Sequence, residues 1–230
     1  MKRILFGVFA HPDDEGFGPS GTLIQEVDSG TELHLICVTR GEAGTNADNC
    51  PDLGKVRTRE WHAAGKLIGA SSMHCLKYAD GLLCNDLYRE IADKVEVCIE
   101  QTLEKTAEPF ELHMMTFDRS GLSGHLDHIA VSMITTFVYL RLRHEHSEWR
   151  FGELRYFCVP YDKRYANDIS YVYMPPGHEP EDIDETVDVS DVYDRKLDVM
   201  RAHRSQRHDM QWHLDNRAES LKTEHFCYFQ

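Results

Sequence analysis

A chain of 230 residues, 41% hydrophobic and 28% charged, has the balance of one soluble globular domain long enough to bury a sizeable core. Its formal net charge of -14 argues against a nucleic-acid partner, because phosphate binding draws on clustered basic residues, and Arg201, Arg204 and Arg207 are flanked by Asp198 and Asp209. No stretch approaches the roughly 20 apolar residues of a membrane span. The seven cysteines are odd in number and form no CxxC, which points to a reducing, cytoplasmic setting rather than to a disulfide framework or a thiolate zinc site.

The first element is the apolar run Ile4 to Ala10, which reads as a buried strand. Met1-Lys2-Arg3 ahead of it imitates a signal peptide, but the run is short and leads straight into an acidic cluster. That cluster is His11-Pro12-Asp13-Asp14-Glu15. Ser20 to Asp28 then predicts a helix stopped at Gly30, and Glu32 to Thr39 a second strand followed by the loop Arg40 to Asn46. Arg57 to Ile68 has helical periodicity and ends at Gly69. Met73 to Leu76 is a short strand, Leu87 to Leu103 a helix and Leu112 to Phe117 a strand.

The next helix, His128 to Arg143, begins on a second cluster, Ser123-Gly124-His125-Leu126-Asp127-His128. Beyond about residue 150 the pattern predicts a strand over Leu154 to Val159 and a loop or hairpin over Tyr165 to Pro180. A short strand over Val187 to Val189 and a helix over Asp191 to Arg204 follow. Strands alternating with helices imply parallel pairing through right-handed crossovers. The expected fold is α/β: a Rossmann-like, mostly parallel sheet with helices on both faces and the active site at the C-terminal ends of the strands. Residues 1–230 form a single domain, in which residues from about 150 onward shape the substrate pocket. His11, Glu42 and His128 then face one crevice.

Three carboxylates crowded beside a histidine repel one another unless a cation neutralises them. His11 and Asp14 lie within one turn and can share one ion, and His128 is the natural third ligand, leaving an open position as catalytic zinc requires. Asp13 points differently and is free to act as a general base. His125 can donate to a substrate carbonyl oxygen or protonate a leaving amine, with Asp127 fixing its tautomer. Blander readings apply elsewhere. His34 and His113 sit in strands, His144 and His146 end a helix, and Arg57 with Glu60 makes an i,i+3 ion pair. Glu42, Arg57 and His203 are nevertheless candidate substrate-binding residues, His203 lining the crevice with Ser205 and Gln206.

Ala10-His11-Pro12-Asp13-Asp14-Glu15, Thr39-Arg40-Gly41-Glu42, Gly124-His125-Leu126-Asp127-His128 and His203-Arg204-Ser205-Gln206 resemble the PIG-L/LmbE-like deacetylase family in order and spacing. The helix carrying Arg57, Glu60, Ala64 and Leu67 and the segment Tyr78-Ala79-Asp80-Gly81 resemble further landmarks of that family. The resemblance implies a metal-dependent amidase, usually a zinc enzyme, that deacetylates N-acetylglucosamine or a related amino sugar. It implies His11, Asp14 and His128 as ligands, Asp13 as base, His125 in the transition-state role and Asp127 as its support. One departure is Leu126, where the family usually has proline; this loosens the entrance to the helix without removing a functional group. The expectation is a zinc-dependent amidohydrolase holding one divalent ion, with ferrous iron as the alternative metal, acting on an amino-sugar conjugate and free to form a homo-oligomer. The rivals are a non-haem iron oxygenase using the same triad and a non-catalytic sugar-binding protein on the same fold.

Overall fold

A computed structural model describes residues 1–161 and 175–230 of the chain. Residues 165–174 of the loop or hairpin expected over 165–180 lie outside the described residues. Five parallel strands form the centre of the sheet: β1 (Lys2–Phe9), β2 (Glu32–Thr39), β3 (Ser72–Tyr78), β4 (Phe110–Phe117) and β5 (Arg150–Cys158). Two antiparallel pairings add β6 (Glu185–Asp188) and β7 (Thr223–Tyr228), giving the order β3-β2-β1-β4-β5-β7-β6. Strands β1, β2 and β4 are buried almost end to end, as continuous apolar runs covered on both faces should be.

The helices form two packed groups. In one, α2 (Ser20–Asp28), α3 (Leu53–Ile68) and α7 (Tyr193–Ala202) pack together; in the other, α4 (Tyr88–Leu103) packs on α6 (Leu126–Glu145). The short α1 (Asp14–Phe17) and α5 (Gly121–Gly124) follow β1 and β4, and α8 (Arg207–Arg217) follows α7 after a 3-10 turn. The expected α/β architecture is the one observed. No helix among the described residues is long and apolar enough to cross a membrane.

Several boundaries differ from the sequence reading for local reasons. Helix α3 starts at Leu53 rather than Arg57, because the Asp52 side chain accepts from the Lys55 amide at 3.0 Å and caps it. Helix α6 starts at Leu126, capped by the His125 ring. Helix α7 stops at Ala202, where His203 (φ -83°, ψ 59°) leaves the helix. Helix α8 and strand β7 were not anticipated. The first is polar with little apolar periodicity, and the second earns its place only by pairing with β5 and β6.

Strand β1 pairs with β2 on one side and β4 on the other. The chain therefore winds away from the β1/β4 boundary in opposite directions. The crevice outside the C-terminal ends at such a boundary is where open α/β sheets bind ligands.

Candidate active site

Both loops at that crevice are bent by specific devices. Leaving β1, Asp13 has φ 126° and ψ -19°, a conformation that L-residues rarely adopt and that the surrounding contacts must hold. Leaving β4, the Asp118 carboxylate accepts from the amides of Ser120 (3.0 Å) and Leu122 (2.9 Å), which shapes the turn into α5. His125 and His128 then stand at the start of α6, one turn apart.

Three side chains converge, Asp14 offering a different oxygen to each histidine. His11 Nδ1 is 3.1 Å from His128 Nε2 and 3.6 Å from Asp14 Oδ2, and His128 Nε2 is 3.3 Å from Asp14 Oδ1. Ligands about 2.0–2.2 Å from one tetrahedral ion sit roughly 3.3–3.6 Å apart; both Asp14 contacts match that spacing and the two histidine nitrogens stand slightly closer, so the three residues could hold a divalent cation. The outer ring atoms support this. His128 Nδ1 lies 3.1 Å from the Gly121 carbonyl, to which it donates, leaving Nε2 bare. His11 Nε2 lies 2.9 Å from Asp80 Oδ1 and 3.4 Å from Asp127 Oδ2, so its proton belongs on that side and Nδ1 is bare.

The electrostatics follow from this crowding. Burial favours a neutral His11, yet Asp14, Asp127 and Asp80 outweigh it and hold the ring's pKa well above its usual value. The carboxylates thus demand positive charge here, a proton or a metal ion. Burial also works against an ionised Asp14, but His128 and His11 keep its carboxyl well below the ordinary range. Burial pushes Asp13 up to about 6, against the pull of the Arg57 guanidinium. His125 is lowered to about 4 by burial and by the nearby His128 and His11.

The structure revises three sequence-based assignments. Asp127 does not fix the His125 tautomer through its carboxylate. Its backbone amide does so, donating to His125 Nδ1 at 3.2 Å and leaving the ring proton on Nε2. The Asp127 carboxylate instead accepts from the amides of Gly81 (2.8 Å) and Leu83 (3.3 Å) and faces His11. Arg57 does not pair with Glu60. It is buried, with Nη2 2.8 Å from Asp13 Oδ2 and 2.9 Å from the Pro12 carbonyl, and Nη1 2.7 Å from the Gly41 carbonyl. Gly41 has φ 66°, and a Cβ there would meet the guanidinium carbon at 2.5 Å, so glycine is required for this approach. Glu60 accepts from Ser205 N and Oγ. His203, expected on the crevice wall, is 1% exposed and lies 3.3 Å from Glu15 behind the first loop. The turn at the end of α7 points it inward, while its neighbour Gln206 lines the cleft.

Glu42 accepts from the Asp80 amide at 3.3 Å and so buttresses the loop after β3. Asp80 was missed as a site residue. Only its place in the Tyr78-Ala79-Asp80-Gly81 landmark marked that loop. The resulting cleft has a volume of about 720 Å³, with His11, Asp13, Asp14 and His128 on one side and Trp212 and His213 of α8 also lining it.

A family profile described as PIG-L, GlcNAc-PI de-N-acetylase, matches residues 6–139. A 1D-myo-inositol 2-acetamido-2-deoxy-alpha-D-glucopyranoside deacetylase of Mycobacterium sp. (strain KMS) is 28% identical over 235 residues, covering 90% of this chain and 74% of the relative. A probable N-acetylglucosaminyl-phosphatidylinositol de-N-acetylase of Schizosaccharomyces pombe is 34% identical over 137 residues, 56% of this chain and 49% of the relative. Among solved structures, the N,N'-diacetylchitobiose deacetylase from Pyrococcus horikoshii superposes with a TM-score of 0.70 at 19% identity, covering 99% of this chain and 84% of that one. The 4-carboxy-2-hydroxymuconate hydratase GalB from Pseudomonas putida KT2440 superposes with a TM-score of 0.63 at 16% identity, covering 100% and 97%. A hydratase on the same fold means that the fold by itself does not select the reaction.

Proposed function

Because the chain belongs to the PIG-L family of de-N-acetylases, we propose that it is a zinc-dependent N-deacetylase acting on an N-acetylglucosamine conjugate. The observation that carries this reading is the donor triangle of His11, Asp14 and His128 with a separate buried carboxylate, Asp13, beside it. When bound, a divalent ion at that triangle supplies polarisation of the amide carbonyl and acidification of water. In this reading residues 1–230 are one domain, and the part after residue 150 completes the cleft with Trp212 and His213.

The chain's own residues then divide the work. Asp13, ionised above about pH 6, takes the proton of the attacking water as its oxygen adds to the amide carbon. The Arg57 guanidinium fixes that carboxylate at 2.8 Å and favours its charged form. His125 stays neutral at pH 7, with its ring proton on Nε2, and donates it as a hydrogen bond to the carbonyl oxygen as charge builds there. A group with a pKa of about 4 as an imidazolium stabilises without needing to be protonated. Asp13 is therefore the better source of the proton that the departing amine takes.

Two histidines and a carboxylate also make the triad of iron oxygenases. Asp13 and the neutral His125 favour hydrolysis, since oxygen activation uses neither. The test is zinc-loaded protein against a series of N-acetylated glucosamine conjugates, measuring acetate and free amine together. Equal amounts of both, abolished by chelation and made without oxygen consumption, are expected. No release from any conjugate, or release indifferent to chelation, would sink the proposal.

The position of Asp127 yields a separate expectation. Asp127→Asn keeps the backbone amide that sets His125 but removes negative charge beside His11. Zinc affinity should fall about 10–100-fold, the usual effect of losing a carboxylate behind a ligating histidine, while kcat at saturating zinc stays near wild type. Chelator competition and saturation kinetics measure the two. A kcat collapse at full zinc occupancy would tie the Asp127 carboxylate to His125 after all.

A further inference from the structure

Strands β5 and β7 pair with Tyr156 opposite Cys227 and Cys158 opposite His225. Cys158 and Cys227 are therefore diagonal neighbours on one face of the sheet, and their Sγ atoms are 3.6 Å apart. His178 arrives from a separate segment. Its amide donates to the Val159 carbonyl at 2.9 Å, and its carbonyl accepts from the Tyr161 amide at 2.8 Å. Gly177 has φ 82°, and a Cβ there would meet the Pro160 oxygen at 2.9 Å, so glycine permits this close docking. The result is His178 Nδ1 3.5 Å from Cys227 Sγ, with one donor atom from each of the three residues within 4.8 Å of the others.

These spacings have a specific meaning. Sulfurs about 2.3 Å from a tetrahedral ion stand roughly 3.8 Å apart, and a sulfur and an imidazole nitrogen roughly 3.5 Å apart. The observed separations are close to both. A disulfide fits less well, because diagonal neighbours have Cα atoms about 7–8 Å apart, beyond the ordinary disulfide span. The imidazole is also prepared for a ligand. Its Nε2 lies 2.7 Å from Asp118 Oδ2 and donates to it, so Nδ1 is the ring nitrogen turned toward the sulfurs.

We infer that Cys158, His178 and Cys227 form a second metal centre, for a thiolate-binding divalent cation of the zinc class. As the ion enters, two protons leave to solvent, one from the Cys158 thiol and one from the Cys227–His178 pair, and the two thiolates cancel its charge. The fourth position falls to water or to the Asp182 carbonyl, 3.1 Å from Cys227 Sγ. Asp118 links this centre to the catalytic face. One of its oxygens holds His178, and the other holds the Ser120 and Leu122 amides in the turn that leads to His125 and His128. No CxxC spacing announces the site, since its three residues come from three separated segments.

Cobalt(II) separates the two centres, because sulfur ligation gives intense near-ultraviolet charge-transfer absorption that nitrogen and oxygen ligands lack. Full-length protein reduced with a phosphine should take up about two equivalents of cobalt and show that band. His128→Ala should lose one equivalent and keep the band. Cys227→Ser and His178→Ala should each lose one equivalent, and Cys227→Ser should lose the band. If Cys227→Ser does not fold, the wild-type protein decides: zinc should shield Cys158 and Cys227 from alkylation, read by peptide mass. Absence of the sulfur band in wild type, a band that survives Cys227→Ser, or alkylation indifferent to zinc overturns the site. None of these outcomes depends on whether acetate is released.

Discussion

Asp13→Ala is expected to retain the metal and to lose about 10²–10⁴-fold in kcat, the usual range for removing a general base. The carboxylate is buried, is held by Arg57 rather than by His11 or His128, and is not part of the donor triangle. Metal analysis of the dialysed variant should therefore read near wild type. The pH dependence supplies an independent check. A base with a pKa of about 6 is ionised above that pH, so wild-type kcat should fall as the pH drops through the value set by Asp13. That acid limb should be absent in Asp13→Ala. In Arg57→Met it should move to higher pH, because the guanidinium is what pulls the Asp13 pKa down against burial. An Asp13→Ala protein that purifies without metal would reverse the roles of the two neighbouring aspartates.

Asp14→Ala is expected to do the opposite: activity is lost because the metal is lost. The Asp14 carboxylate accepts from the His11 amide at 2.7 Å and stands between the two facing imidazoles. Without it, His11 Nδ1 and His128 Nε2 confront each other at 3.1 Å with one negative charge fewer to hold a cation. The fall in zinc affinity should exceed the roughly 10–100-fold that supporting carboxylates typically cost, and excess zinc should restore part of the activity. Chelator competition gives the affinity, and a zinc titration of kcat gives the rescue. Full zinc occupancy in Asp14→Ala at ordinary concentrations would remove Asp14 from the ligand set.

Much of the frame was legible because the relevant signals are local. The run before His11 is apolar enough to be a buried strand and nothing else. Alternation with helices then forces its C-terminal end onto the same rim as the end of β4, so His11, Asp14 and His128 could be expected to meet. What stayed hidden depends on contacts between distant segments. Asp127 sits between two histidines in sequence, yet its side chain is claimed by the Gly81 and Leu83 amides and turns toward His11. Arg57 and Glu60 are one helical turn apart and of opposite charge, but each finds a partner elsewhere, Asp13 for one and Ser205 for the other. Asp80 carries no periodic signal, and β7 and α8 are too polar to stand out.

The interleaving of the last strands also bears on how the protein is made. Strand β6 precedes β7 in the chain by more than thirty residues, yet β7 is its sheet partner among the described residues and separates it from β5. Until residues 223–228 emerge from the ribosome, β5 presents an unpaired edge and β6 has no sheet to join. Edges of that kind invite pairing with other chains. The nascent protein therefore passes through a stage at which its parallel half can fold while its rim remains adhesive. That stage is when a chaperone has the most to protect, and Cys158 cannot meet Cys227 before it ends.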